Sequence, residues 1–219
     1  MLALASPRVL PGVPADHDMA AMAAMLMQSR QTILPKRLAA PGPDEGQLEM
    51  ILNAAATAPD HGQLLPWRFV RVPQAKRGRL ADVFAAALLE RDPAATPEQV
   101  AQAREKAYRA PLLMLVVVDG QRGDAEIDLL ERIVSTGCAV QNMLLMATAL
   151  GYGSALTSGK ALKAVGLRTL FGLTGGEHAL CFVSIGTVQS RKPARPRPAP
   201  GDFVSRLAAG SDEAGLGPD

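Results

Sequence analysis

The stretch Ile133-Val-Ser-Thr-Gly-Cys-Ala-Val-Gln-Asn-Met-Leu-Leu-Met-Ala-Thr-Ala-Leu150 carries no charged side chain over a length that could cross a membrane. Gln141 and Asn142 stand side by side at its middle, however, which argues against a lipid-facing helix. We therefore expect no membrane insertion. The pattern instead predicts one long helix, from Ala125 to Leu150, that is buried on nearly all sides. A sheet of the same chain would cover it, and a second subunit is an alternative source of further burial.

The segments on either side of this helix predict a small sheet and several shorter helices. Pro111–Val118 and Ala179–Gly186 are continuous apolar runs, typical of strands covered on both faces, and Trp67–Val72 is strand-like. Asp44, with Gln47 three residues later, predicts a capping box at a helix start. We predict shorter helices over 18–28, 44–57, 74–90, 96–107 and 160–171, with a linker over 35–43 and a turn over 151–160. The fold class is therefore α+β.

Composition limits the classes of function. The chain has 219 residues, and its net charge of +2 argues against a general nucleic-acid binder. A basic, proline-containing segment over 187–200 leaves a nucleic-acid or protein interaction as a minor alternative. Cys138 and Cys181 lie in apolar runs, which indicates reduced thiols, and no secretory signal is visible, so we expect a cytoplasmic protein. We predict a flexible arm over 1–17, a single domain over 18–203 and a flexible tail over 204–219.

Several familiar catalytic and binding motifs are excluded. Gly153 and Gly159 enclose five residues instead of four and Ala161 follows the lysine, so the stretch is not a phosphate-binding P-loop. It also lacks the glycine pattern and preceding strand of a Rossmann fingerprint. The histidines have no companion at metal-ligand spacing, and Ser184 lacks the glycine of a nucleophile elbow. We therefore expect no bound metal and no catalytic side chain.

Three polar segments remain after these motifs are excluded, and their order along the chain is similar to that of a known family. They are Ser29-Arg30-Gln31-Thr32, Ala58-Pro59-Asp60-His61 followed by Leu65-Pro66-Trp67, and Leu156-Thr157-Ser158-Gly159. In this order and at these separations the chain resembles the FMN-dependent nitroreductase family, in particular a small NAD(P)H nitroreductase subgroup with Pro-Asp-His before Pro-Trp. The resemblance extends from about Met19 to Lys192. It implies a small mixed or antiparallel sheet, a long central buried helix, and a homodimer with FMN sites at the subunit interface.

The resemblance also implies which residues contact FMN. Arg30 matches an arginine that grips the cofactor, and a guanidinium fork suits a phosphate. His61 matches a histidine that touches FMN. Gln31, Thr57 and Thr157 stand where the family pattern has basic residues. Arg191 and Lys192 would therefore have to neutralise more of the negative charge of the phosphate. The full set of implied FMN positions is Arg30, Gln31, Thr32, Thr57, His61, Leu156, Thr157, Ser158, Arg191 and Lys192.

The implied activity is transfer of a hydride from NADH or NADPH to FMN, and of electrons from FMN to a nitroaromatic, quinone or similar electrophilic acceptor, in a ping-pong sequence. The cofactor carries the chemistry, so no acid or base is needed from the chain. The implied nicotinamide-nucleotide positions are Met146, Ala147, Thr148, Ala149, Leu150 and Gly151. The alternative is a flavin-binding but non-catalytic protein for storage or regulation.

Overall fold

The computed structural model describes residues 16–193 and 196–207. In chain order the helices and strands are α1 (Asp16–Ser29), β1 (Leu38–Ala39), α2 (Glu45–Ala55), β2 (Trp67–Arg71), α3 (Arg77–Arg91), α4 (Pro97–Glu105), β3 (Leu112–Asp119), α5 (Leu129–Ala149), β4 (Gly153–Thr157), α6 (Val165–Phe171) and β5 (Glu177–Val188). The predicted arm over 1–17 lies outside the described residues except for its last two positions, which belong to α1. The predicted tail is described only as far as residue 207.

The sheet is antiparallel, in the order β1-β5-β3-β2, and β4 pairs with β5. β3 and β4 both pair with the 182–185 part of β5, so they lie on opposite sides of it. β4 and β1 therefore occupy one edge of the sheet, and β2 occupies the other. The only parallel pairing among the described residues is an isolated bridge between Thr32 and Ser154.

β3 is covered on both faces, as its apolar run predicts. Met114 and Val116 pack against α2 and α5, while Leu113, Leu115 and Val117 pack against α3 and α6. Helices thus lie on both sides of the sheet, which confirms the predicted α+β class. Burying both faces of one strand explains why this segment shows no polar alternation.

The capping box of α2 is confirmed, but several predicted boundaries are wrong. α5 begins at Leu129 and not at Ala125, because the Asp128 carboxylate accepts hydrogen bonds from the backbone N–H groups of Leu130 and Glu131 and so starts the helix there. The predicted helix over 160–171 is a 3-10 turn followed by α6, since Ala164 is extended between them. The predicted turn over 151–160 contains β4, the predicted linker over 35–43 contains β1, and α1 begins two residues before residue 18.

α5 buries one face against α2 and the sheet and leaves the opposite face open. Leu130 is 70% exposed and Val134 is 66% exposed in the single chain. α1, which contacts α5, exposes Met19, Met22, Met25 and Met27. Exposed apolar surface of this kind commonly marks an interaction site.

Both cysteines are free, and burial raises the pKa of the Cys181 thiol to about 11, which keeps that thiol protonated. Within residues 16–193 and 196–207, no helix is long and apolar enough to cross a membrane.

Candidate functional site

The predicted segment Arg30–Thr32 lies against strand β4. The isolated bridge joins Thr32 to Ser154, and the backbone N–H of Ile33 donates to the Ser154 carbonyl oxygen at 2.9 Å. The Ser154 hydroxyl is buried and has no hydrogen-bond partner in the described structure. A buried hydroxyl without a hydrogen-bond partner costs folding free energy. The start of β4, beside Thr32, therefore contains a polar group whose hydrogen-bonding capacity is unused.

A small cavity of about 140 Å³ adjoins this segment. Gln31 and Arg191 both line it, so the structure brings together two predicted site residues that are far apart in sequence. Arg197 donates a hydrogen bond to the Arg30 carbonyl oxygen at 2.8 Å, which holds the segment after β5 close to the end of α1. Lys192, next to Arg191 in the chain, is exposed. The remaining lining residues are Ser29, Ile33, Thr148, Tyr152 and Gly153.

A larger cleft of about 630 Å³ lies on the α3–α4 side of the sheet. The predicted residues Thr157 and Ser158 line it, together with Phe182 and Ser184 of β5. Because side chains alternate along a strand, Leu156 is directed to the opposite face of β4 from Thr157, and Leu156 is 45% exposed there. The structure thus assigns two residues of the predicted trio to the cleft and separates the third from it.

Sequence reasoning missed the basic residues of this cleft. Its lining includes Lys36, Arg91, Lys106, Arg109 and Lys160, and none of the described residues that line it is acidic. These residues come from separate segments of the chain, so no local motif could have revealed them. Lys160, two residues after the predicted trio, is the lysine of the rejected P-loop pattern, and Lys36 lies four residues after Thr32.

The cleft cations are largely uncompensated. Arg109 forms a long ion pair with Glu105, at 3.3 Å between Nη2 and Oε2. In the part of the chain that the structure describes, the other four make no salt bridge. A concave surface lined by one sign of charge concentrates its field and attracts oppositely charged ligands.

Thr57 and His61 lie elsewhere, along α5. The Thr57 hydroxyl accepts a hydrogen bond from the Asn142 side-chain amide at 3.0 Å. Nδ1 of His61 lies 2.8 Å from a carboxylate oxygen of Glu131, at the start of α5. His61 is therefore a largely exposed side chain oriented by a carboxylate on a neighbouring helix.

The predicted site is consequently divided into two groups within one chain. His61 precedes β2 and Ser158 follows β4, and these strands lie at opposite edges of the sheet. His61 pairs with Glu131 at the start of α5, whereas Gln31 shares the small cavity with Thr148 near its end. At a rise of about 1.5 Å per residue, Glu131 and Thr148 are about 25 Å apart along the helix. His61 is therefore too distant from Gln31 for one chain to apply both side chains to the same cofactor, whereas Thr57, which bonds Asn142, lies only about 9 Å from Thr148 along the helix.

Comparison with known proteins identifies the family. The family model described as "Nitroreductase family" matches residues 27–187, which is most of the chain. The chain belongs to the nitroreductase family. The family predicted from the three polar segments is thereby confirmed, and as a member of this family the protein is an oxidoreductase.

Individual relatives agree with this assignment. A protein of Haemophilus influenzae named "Putative NAD(P)H nitroreductase" is 35% identical over 152 residues, which cover 69% of this chain and 82% of that protein. The nitroreductase-like family protein of Bacillus cereus has the same fold, with a TM-score of 0.72, 19% identity, and coverage of 84% of this chain and 95% of that one. The NADPH:FMN oxidoreductase of Vibrio harveyi, solved in complex with NAD+, aligns with a TM-score of 0.67 and 18% identity over 86% of this chain and 78% of that one.

In this nitroreductase-family chain, the predicted nicotinamide segment at the end of α5 is partly core. Ala147 is fully buried, and Met146 and Leu150 pack against the same hydrophobic cluster. Thr148 lines the small cavity, and Ala149 and Gly151 are exposed. Ala147 is therefore closed to a ligand, whereas the other five positions keep some accessible surface.

Proposed function

We propose that this protein is an NAD(P)H-dependent FMN oxidoreductase that acts as a homodimer. The electron acceptor is a nitroaromatic, a quinone or a similar electrophile, and donor and acceptor react in a ping-pong sequence. We also propose the boundaries 18–203 for the FMN-binding domain and a cytoplasmic location, which the two free cysteines support.

FMN fits the residues at the site. The cleft volume of about 630 Å³ lies within the usual range for ligand pockets, and its lining combines aromatic walls with hydroxyl and cationic groups. Thr157 and Ser158 would hold the flavin end, and Gln31 with Arg191 would hold the polar end near the small cavity. Ile33 lines the small cavity and its neighbour Leu34 lines the cleft, so the two spaces adjoin the same short segment of the chain.

The phosphate would rest chiefly on Arg30, Arg191 and Lys192. Two charged hydrogen bonds supply about 3–6 kcal/mol together. Micromolar binding needs about 8 kcal/mol, so the rest must come from burial of the ring. FMN supplies the redox chemistry when bound, because its ring accepts a hydride and later releases electrons. The residues of this chain bind and orient the cofactor and exclude water from it.

The homodimer is supported by the division of the site. Since His61 and Ser158 lie at opposite sheet edges, both can contact one cofactor only if they come from two copies of the chain. A two-fold dimer would bring the His61 edge of one copy to the cleft of the other. The exposed apolar residues of α1 and α5 offer surface for such a contact.

The experiment uses the freshly purified full chain. We expect a flavin absorption spectrum, release of FMN on denaturation, and oxidation of NADH or NADPH that depends on a nitroaromatic or quinone, with parallel lines in double-reciprocal plots. Bound FMN without turnover would favour the storage or regulatory alternative. No uptake of FMN on titration would refute the proposal.

A further inference from the structure

The cleft contains more positive charge than FMN requires. The phosphate of FMN carries about two negative charges, and the proposed function assigns it to Arg30, Arg191 and Lys192, of which Arg191 lines the small cavity. Lys36, Arg91 and Lys106 line the larger cleft instead, are exposed, and make no salt bridge in the described ranges. Their charge is therefore available to another ligand.

The walls of the cleft indicate the shape of that ligand. Phe84 and Phe182 meet edge to face, with ring centroids 5.7 Å apart, and both line the cleft. Gln99 and Gln102 add side-chain amides beside Lys106 on the same wall. Aromatic side chains suit a flat apolar body, whereas the lysines and the arginine suit a carboxylate or phosphate attached to it.

We propose that the second reactant admitted to this cleft is an anionic molecule, whose carboxylate or phosphate is bound by Lys36, Arg91 and Lys106. This inference rests on the proposed function, because it names the class of molecule that reacts at the same site. The anionic group belongs to the electron acceptor. The uncompensated cations attract this acceptor and give its association a strong salt dependence.

The test compares a matched pair of acceptors, 4-nitrobenzoate and 4-nitrobenzamide, which differ mainly in charge. With the FMN-loaded enzyme we expect kcat/KM for the benzoate to exceed that for the benzamide about tenfold or more, and the ratio to fall with added salt. Arg91→Gln and Lys36→Gln should each reduce the ratio severalfold. Arg79→Gln on the same helix and Lys163→Gln, which do not line the cleft, should leave it unchanged.

Equilibrium dialysis supplies a readout that does not depend on turnover. Each compound is dialysed against the purified protein, and tighter retention of 4-nitrobenzoate that is lost in Arg91→Gln supports the inference even if the protein proves inactive. An acceptor ratio near one, together with a severalfold higher KM for NADH or NADPH in Arg91→Gln, would mean that these cations bind the phosphates of the donor. That result would overturn the inference and leave the oxidoreductase intact.

Two further outcomes separate this inference from the proposed function. Turnover of 4-nitrobenzamide at the same rate as 4-nitrobenzoate, with KM for the donor and dialysis both unaffected by Arg91→Gln, would overturn the inference and leave the oxidoreductase intact. If the protein binds no FMN, shows no turnover and retains the two compounds equally in dialysis, both the inference and the proposed function are wrong.

Discussion

Mixed dimers give the strictest test of a site shared between two chains. If FMN contacts Arg30 of one copy and His61 of the other, a dimer of one Arg30→Ala chain and one His61→Ala chain has one intact site and one doubly altered site. In a single chain, Glu131, which pairs with His61, lies about 25 Å along α5 from Thr148, which shares a cavity with Gln31. One chain therefore cannot place both His61 and the segment after α1 on one cofactor.

The expected magnitudes follow from the contacts. Loss of the Arg30 guanidinium removes a charged hydrogen bond and costs about 1.5–3 kcal/mol, or roughly a 10- to 150-fold weaker Kd for FMN. Loss of the His61 contact costs about 0.5–1.5 kcal/mol, the usual value of one hydrogen bond, which weakens binding roughly 2- to 10-fold. The two alterations therefore give distinguishable binding phases.

The assay co-expresses two differently tagged chains, purifies the mixed dimers through both tags in turn, removes FMN, and follows its return by fluorescence quenching. For the Arg30→Ala with His61→Ala combination, about half of the sites should titrate with the wild-type Kd. In the reciprocal combination, one chain carries both substitutions and the other is wild type. Every site then lacks one group, so no wild-type phase should appear.

The reverse pattern would refute a shared site. A wild-type phase in the reciprocal combination, and none in the first, would mean that one chain supplies both contacts. Failure to recover any doubly tagged species from two wild-type chains would refute the dimer itself. Dimers in which both chains carry Arg30→Ala serve as the control, because neither arrangement leaves them an intact site.

Three further predictions concern the fold. Arg68 holds the pKa of the Glu177 carboxyl at about 2, below its usual 4.5, so this pair stabilises the protein above about pH 4.5 and the contribution is lost as pH falls toward 2. Glu177→Gln should remove about 1–2 kcal/mol of this pH-dependent stability, after allowance for the exposure of Arg68, and so flatten the pH–Tm curve in that range. Gly153→Ala should cost about 1–3 kcal/mol in urea unfolding, because a Cβ would lie 2.6 Å from Cγ2 of Val188. Asp44→Ala should cost about 1 kcal/mol by the same measurement, since its carboxylate caps α2.

Matched controls accompany these changes. Glu45→Gln removes an exposed ion pair with Arg71, which solvent screens, so it should change stability little across the same pH range. Gly175→Ala meets no atom within 4 Å and should leave the urea midpoint nearly unchanged. A Gly153→Ala variant as stable as Gly175→Ala would contradict the close packing at the start of β4, and an unchanged midpoint in Asp44→Ala would contradict the cap.

Short sequence patterns correctly predicted those helices and strands that are determined by interactions within a few residues. The apolar run of β3 and the Asp44 capping box are readable because burial on both faces and side-chain capping act over a few residues. β4 was missed because Gly153–Thr157 has no strong strand signal of its own. Its strand conformation depends on pairing with β5, about thirty residues later in the chain.

The amino-acid sequence alone determined the family, the α+β class and the polar segments, because these depend on residue identity and order. Only the tertiary structure separated His61 from Ser158 across the sheet and gathered Lys36, Arg91 and Lys106 into one cleft. The physical reason is that sheet order and cleft lining depend on which distant segments pack together. That packing is set by the shared burial of apolar faces, which no short stretch of sequence contains.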